Sequence, residues 1–197
     1  MNAREEILAA VRGALRHADR AEAVVPRGYR ATVAHADVEL FAERVLDYRA
    51  ALTRCTAAEL PDALHAALRP ARKVLVPEGF PVDIGGSPPP STTAELAEFD
   101  AVVTTAALGI AATGTIVLDH GPGQGRRALS LVPDVHVCVL REEQIVPGVP
   151  EAVAALDPAR PQTWISGPSA TSDIELTRVE GVHGPRSLHV IVVGDGS

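Results

Sequence analysis

Apolar positions follow two different rhythms along this chain. Up to about residue 70 they recur at helical spacing. Ile7, Leu8, Val11 and Leu15 share one helix face, and Asn2 with Glu5 three residues on has the spacing of a capping box, in which side chains satisfy the free amides of the first turn. A second helix is expected from about Val38 to Leu52, with Phe41, Val45, Leu46 and Leu52 apolar. A third follows Thr56, where Thr56 and Glu59 repeat the capping pattern ahead of Leu60, Leu64 and Leu68, and Pro70 ends it. Between the first two, Val24 to Arg30 reads as loop.

From residue 73 short β-branched runs replace that period. Strands are predicted at Lys73 to Val76, Ala101 to Thr105, Thr115 to Asp119, Val135 to Leu140, Thr163 to Ser166 and Leu188 to Val193. Helical pieces fit at Glu95 to Phe99, at Glu151 to Leu156 and after Ser169, while the glycines and prolines of residues 85–90 exclude regular structure. Strands apolar along their whole length are buried on both faces. They predict the α/β class, a three-layer, mostly parallel sheet with helices on both faces. We divide the chain into a helical N-terminal extension, residues 1–70, packed on an α/β domain of residues 71–197.

Composition narrows the partners. Hydrophobic residues make up 46% of the chain and aromatics only 3%, so Val, Leu, Ile and Ala must do the packing. The longest apolar runs are about a third of the roughly 20 residues a membrane span needs, so none is expected. Acidic Glu5 and Glu6 stand where a signal peptide would be basic, which predicts a cytoplasmic protein. A net charge of −7, with no basic run longer than Arg126-Arg127, disfavours nucleic acid and acidic lipid as partners. Cys55 and Cys138 are far apart and form no Cys-x-x-Cys pair, so neither a disulfide framework nor a metal or iron–sulfur site is expected, and no cofactor is assigned to this chain. Cys138, between two valines, reads as a small buried hydrophobe.

Four segments carry candidate chemistry, and the ligand is expected on the loops after Ile110 and Ile165. Thr113-Gly114-Thr115 sets two hydroxyls beside a backbone that glycine leaves open, suited to a carboxylate or phosphate, or else forms a hairpin turn. His120 to Arg127 has three alternate glycines and two arginines that could wrap an anion, but reads better as a surface loop with solvated arginines. Ser166 to Glu175 follows a strand. If a helix starts there, its free amides with Ser169, Thr171 and Ser172 favour an anion, whereas Ser172 and Glu175 also match a simple capping box. Gly181-Val182-His183-Gly184 holds an imidazole between glycines, able to change charge near neutral pH. His136, between valines, reads as packed or outward-facing.

Taken together, Gly109 to Thr115, Pro133 to Val137, Ser166 to Glu175 and Gly181 to Val190 resemble the LUD domain, the lactate-utilisation family, and most closely its LutC subgroup. Their order and spacing agree over about residues 70 to 195. The resemblance implies a fold like the NagB/RpiA/CoA transferase superfamily. It implies a role in oxidising L-lactate to pyruvate beside iron–sulfur partner subunits, with a small carboxylate or other anion as ligand and a homo-oligomer left open. Thr113, Gly114, Thr115, Ser169, Thr171, Ser172, Gly181, His183 and Gly184 are the ligand-binding candidates, and Asp173, Glu175 and His183 the catalytic ones. Ala112 and Ala170 depart from the family, which usually has an acidic and a basic residue there. Two other classes stay in view. One is a self-sufficient CoA transferase or sugar-phosphate isomerase, the former needing a glutamate nucleophile such as Glu175 or Glu180. The other is a non-catalytic regulatory or structural subunit.

Overall fold

Asn2 caps the first helix as its spacing predicts. Its side-chain oxygen accepts from the Glu5 amide at 3.0 Å, and the Glu5 carboxylate accepts from the Asn2 amide at 3.1 Å. This computed structural model describes residues 2–19, 25–26, 36–171, 179–180 and 184–195. Helix α1 (Ala3–Ala14) buries none of its residues, and Ile7 is 64% exposed. Helix α2 (Val38–Asp47) starts on Asp37, whose carboxylate accepts from the Leu40 amide, and buries Phe41 and Val45.

The second helix was expected to run to Leu52, but it stops at Asp47, and Ala51–Thr56 forms strand β1. The stop is made by Arg49 in the left-handed region, φ 63°, with the Ala50 amide returning to the Val45 carbonyl at 3.3 Å. Glycine usually fills that position, and no glycine marks this one. Helix α3 (Leu60–Leu68) follows, led in by the Thr56–Glu59 box, in which the Glu59 carboxylate accepts from the Thr56 amide at 2.9 Å.

Next come β2 (Val74–Leu75), α4 (Thr93–Leu96), β3 (Ala101–Thr105), β4 (Leu108–Ile110), β5 (Thr115–Leu118) and β6 (Val135–Arg141). The chain continues with β7 (Ile145–Val146), α5 (Val149–Ala155), β8 (Thr163–Ile165), β9 (Ala170–Thr171), β10 (Val179–Glu180) and β11 (Ser187–Gly194). The central sheet has the order β1-β11-β6-β3-β2 and is parallel throughout.

One face of the sheet, with Val103, Val137 and Ile191, packs on Leu60, Leu64 and Leu68 of α3. The other, with Cys138, Leu140, Leu188 and Val190, packs on Phe41 and Val45 of α2 and on Ile116 and Leu118 of β5. The fold is therefore α/β with a mostly parallel central sheet and helices on both faces. Residues 36–69 supply a strand and two helices to that core.

Two predicted strands lie elsewhere than the parallel sheet. Thr115–Leu118 and Thr163–Ile165 pair antiparallel within a second sheet, of order β7-β4-β5-β8, whose far side is covered by Ala152 and Leu156. Every residue of β5 is buried, because β5 is sandwiched between the central sheet and α5. Burial on both faces gives the same apolar run whichever way the neighbouring strand points. The helix expected after Ser169 is also absent at its start: Ala170–Thr171 is extended and pairs antiparallel with Val179–Glu180. Among the described residues no helix is long and apolar enough to cross a membrane.

Candidate functional site

His136 stands near the amino end of β6, in register with Val102 of β3 and Leu188 of β11. It is 1% exposed, and its Nε2 meets the Thr104 hydroxyl at 2.8 Å. Burial pushes its pKa down to about 4, so the imidazole is neutral at neutral pH. Over it lies a pocket of about 210 Å³ at the amino ends of β6 and β11. One wall is the short 3-10 turn Arg127–Ser130; the others are the stretch Thr163 to Ser169 and the turn Gly184-Pro185.

A line of hydroxyls runs into this pocket. Thr113 Oγ1 lies 2.7 Å from Thr115 Oγ1, which lies 2.8 Å from Ser166 Oγ at the pocket wall. The loops after Ile110 and Ile165 are thereby joined, although some fifty residues separate them, because β5 and β8 pair with Ile116 opposite Ile165. The segment at 184 is tied in as well. The Ser169 amide donates to the Pro185 carbonyl at 2.9 Å, and a Cβ on Gly184 would stand 3.2 Å from that of Ser169. On the opposite wall the Ser130 hydroxyl donates to the Arg127 carbonyl at 3.1 Å.

The glycines of these loops serve packing. Gly114, at φ 59°, turns its bare side to α2, where a Cβ would lie 2.6 Å from the Arg44 carbonyl carbon and 2.7 Å from the Val45 nitrogen. The space that glycine was expected to leave for a ligand is thus filled by a helix. Gly167, at φ 83°, is pressed in the same way against Tyr48, just after α2.

Of the ligand-binding candidates, Ser169 and Gly184 line the pocket, and Thr113 and Thr115 reach it through Ser166. Thr171 lies in β9. Ser172, Asp173, Glu175, Gly181 and His183 lie outside the described residues. Sequence reasoning missed Ser130, set Arg127 aside as solvated and His136 as packed or outward-facing. His136 is indeed packed, but over it the pocket opens; the only signal was its place within Pro133 to Val137. Arg127 is exposed and sits at the pocket rim, the one lining cation at neutral pH, and no carboxylate lines the pocket among the described residues. Leu131 and Leu188 supply an apolar part. A pocket below the roughly 300–1,000 Å³ of drug-sized ligands, with one guanidinium, hydroxyls and a neutral imidazole, suits a small monoanion. Among the described residues no group of three or more His, Cys, Asp or Glu converges as metal ligands.

The LUD domain family model matches residues 90–193, a stretch that includes every lining residue of this pocket. The chain belongs to the LUD domain family. Its LUD domain and most of the rest are 53% identical, over 187 residues, to a protein of Deinococcus radiodurans called Lactate utilization protein C, covering 89% of this chain and 88% of that one. A protein of the same description from Geobacillus sp. (strain WCH70) is 34% identical over 101 residues, which is 47% of this chain and 42% of that protein. A crystal structure of a DUF162 family protein from Deinococcus radiodurans superimposes with a TM-score of 0.67 at 49% identity, covering 80% of this chain and 96% of that one. The parallel sheet of the LUD chain and its helices thus have a close structural counterpart.

Proposed function

We propose that this chain is a cytoplasmic component of an L-lactate utilisation system, taking part in oxidation of L-lactate to pyruvate together with iron–sulfur partner subunits. The observation that carries the reading is the 53% identity, over nearly the full length of both chains, to a protein called Lactate utilization protein C. The pocket supports it. Lactate is a small monoanion with one hydroxyl and one methyl group. In this reading Arg127 holds the carboxylate, Ser130 and Ser166 meet the hydroxyl, and Leu131 and Leu188 shelter the methyl. His136, neutral and buried below, adds an uncharged ring to the pocket floor.

Oxidation to pyruvate releases two electrons and two protons, one from the hydroxyl and one from the carbon that bears it, and the partners enter as the electron acceptor. Cys55 packs on the α3 side of the central sheet and Cys138 on the α2 side, so the two thiols cannot share a cluster. The electrons are therefore assigned to the partner subunits. Deleting the chain is expected to abolish growth on L-lactate as carbon source while leaving growth on pyruvate intact, and the Arg127→Gln variant should restore lactate growth poorly. Unchanged growth on lactate after deletion would overturn the proposal.

A further inference from the structure

Thr163 joins the lactate-sized pocket to an imidazole outside it. Its hydroxyl, on a residue of the pocket wall that is only 7% exposed, lies 3.2 Å from His120 Nε2. Strand pairing makes this meeting, since Thr163 of β8 stands opposite Leu118 of β5 and His120 follows two residues on. The second ring nitrogen fixes the direction of the bond. His120 Nδ1 is 2.8 Å from the Gly125 carbonyl, which can only accept, so the neutral ring carries its proton on Nδ1. Nε2 then holds the lone pair, and the Thr163 hydroxyl donates to it.

The ring is held in this pose by its backbone. His120 adopts φ 59°, a left-handed conformation that costs energy for a residue with a side chain. Gln124, itself buried, secures the turn by accepting from the amides of Asp119 and His120 at 2.7 and 3.0 Å. Gly125, which presents the carbonyl, is pressed against Leu129, where a Cβ would lie 2.5 Å from a side-chain carbon. A hydroxyl bonded to an imidazole whose far nitrogen is anchored on a fixed acceptor is the arrangement that draws a proton from an oxygen.

The pocket has need of such a group. No carboxylate lines it among the described residues, and the buried His136 is a poor base, its Nε2 already engaged by Thr104. On its far side His120 lines a surface groove of about 940 Å³ together with Glu78, Arg126 and Arg160, and Arg160 pairs with Asp119 at 2.8 Å. A proton that reaches the ring from the pocket therefore has water to leave to. We propose that Thr163 and His120 form a proton path through which the hydroxyl proton of a pocket-bound 2-hydroxy acid departs. The ligand O–H bond breaks as an O–H bond forms on Thr163, whose own proton passes to Nε2 and leaves an imidazolium. The second proton, from the carbon, and the two electrons leave toward the acceptor that the iron–sulfur partners provide. This path deepens the lactate reading and rests on it.

Two measurements test it. Nitrogen NMR of the full chain, assigned against His120→Asn, should show the neutral His120 ring protonated on Nδ1; a ring protonated on Nε2 overturns the path. Asparagine is the replacement because it tolerates the left-handed backbone and cannot take the proton. The second measurement is L-lactate-dependent dye reduction by extracts of a deletion strain that carries each variant beside the native partners. Thr163→Val and His120→Asn should each lower the rate about a hundredfold in chains that melt like the parent, and Thr163→Ser should recover most of the Thr163→Val loss. The parent rate should rise from acid toward neutral pH, as a base that must be uncharged requires, and His120→Asn should lose that rise. Rates and pH profiles equal to the parent in Thr163→Val and His120→Asn overturn the proton path alone. A deletion strain that oxidises lactate as before overturns the lactate reading and this path with it.

Discussion

His136 and His189 lie on adjacent parallel strands but on opposite faces of the sheet, and each meets a threonine hydroxyl at 2.8 Å, from Thr104 and Thr53 respectively. Burial lowers the pKa of both, that of His136 to about 4 from 6.5. The unfolded chain therefore binds protons that the folded chain refuses. Stability is full above about pH 6.5 and is lost as pH falls toward 4. For His136 the loss amounts to about 3 kcal/mol once pH is well below 4. The melting temperature of the parent should fall between pH 7.5 and 4.5 by more than that of His136→Gln, which cannot titrate. Parallel pH profiles for the two would show that the buried imidazole has its ordinary pKa. Nothing in Val135-His136-Val137 alone distinguishes a packed histidine from a pocket one, since alternation along a strand says which face a side chain takes but not what covers that face.

Helix α2 is the element that links the central sheet to the candidate site. Phe41 and Val45 bury against the sheet, while Arg44, Val45 and Tyr48 hold the turns at Gly114 and Gly167. Replacing Gly114 by alanine asks for a left-handed residue and sets its Cβ against backbone that cannot swing aside. Roughly 2–5 kcal/mol of destabilisation follows from the two costs together, measurable by urea unfolding. A loss under about 1 kcal/mol would mean that α2 does not clamp this turn. The helical half of the chain was legible where caps and apolar spacing agreed, as at Asn2 and Thr56. Strand β1 was not, because its apolar residues continue the helical spacing of α2 and the reversal at Arg49 carries no glycine. Segments β5 and β8 were legible as strands but not as members of a second sheet, since pairing direction leaves no trace in a fully buried run.

At the scale of the whole molecule, the order of four segments in the sequence was enough to bring the loops after Ile110 and Ile165 together, whereas Arg127 and Ser130 entered through a turn whose glycines and arginines read as surface. The same scale decides where electrons can go. Cys138 is fully buried, with burial raising its pKa to about 12 despite the Thr104 hydroxyl, and Cys55 is half-buried, its pKa raised first by burial and then by Glu59. Neither thiol is set up as a thiolate, and the sheet stands between them. If the partners carry the redox centres, a Cys55→Ser/Cys138→Ala chain should restore growth on L-lactate to a deletion strain as well as the parent chain does. Alanine at 138 removes the thiol without adding a polar group, and the Thr104 hydroxyl keeps its His136 partner. Complementation that fails while the variant accumulates as folded protein would show that a thiol of this chain takes part in lactate use and would overturn the assignment of the redox chemistry to the partners alone.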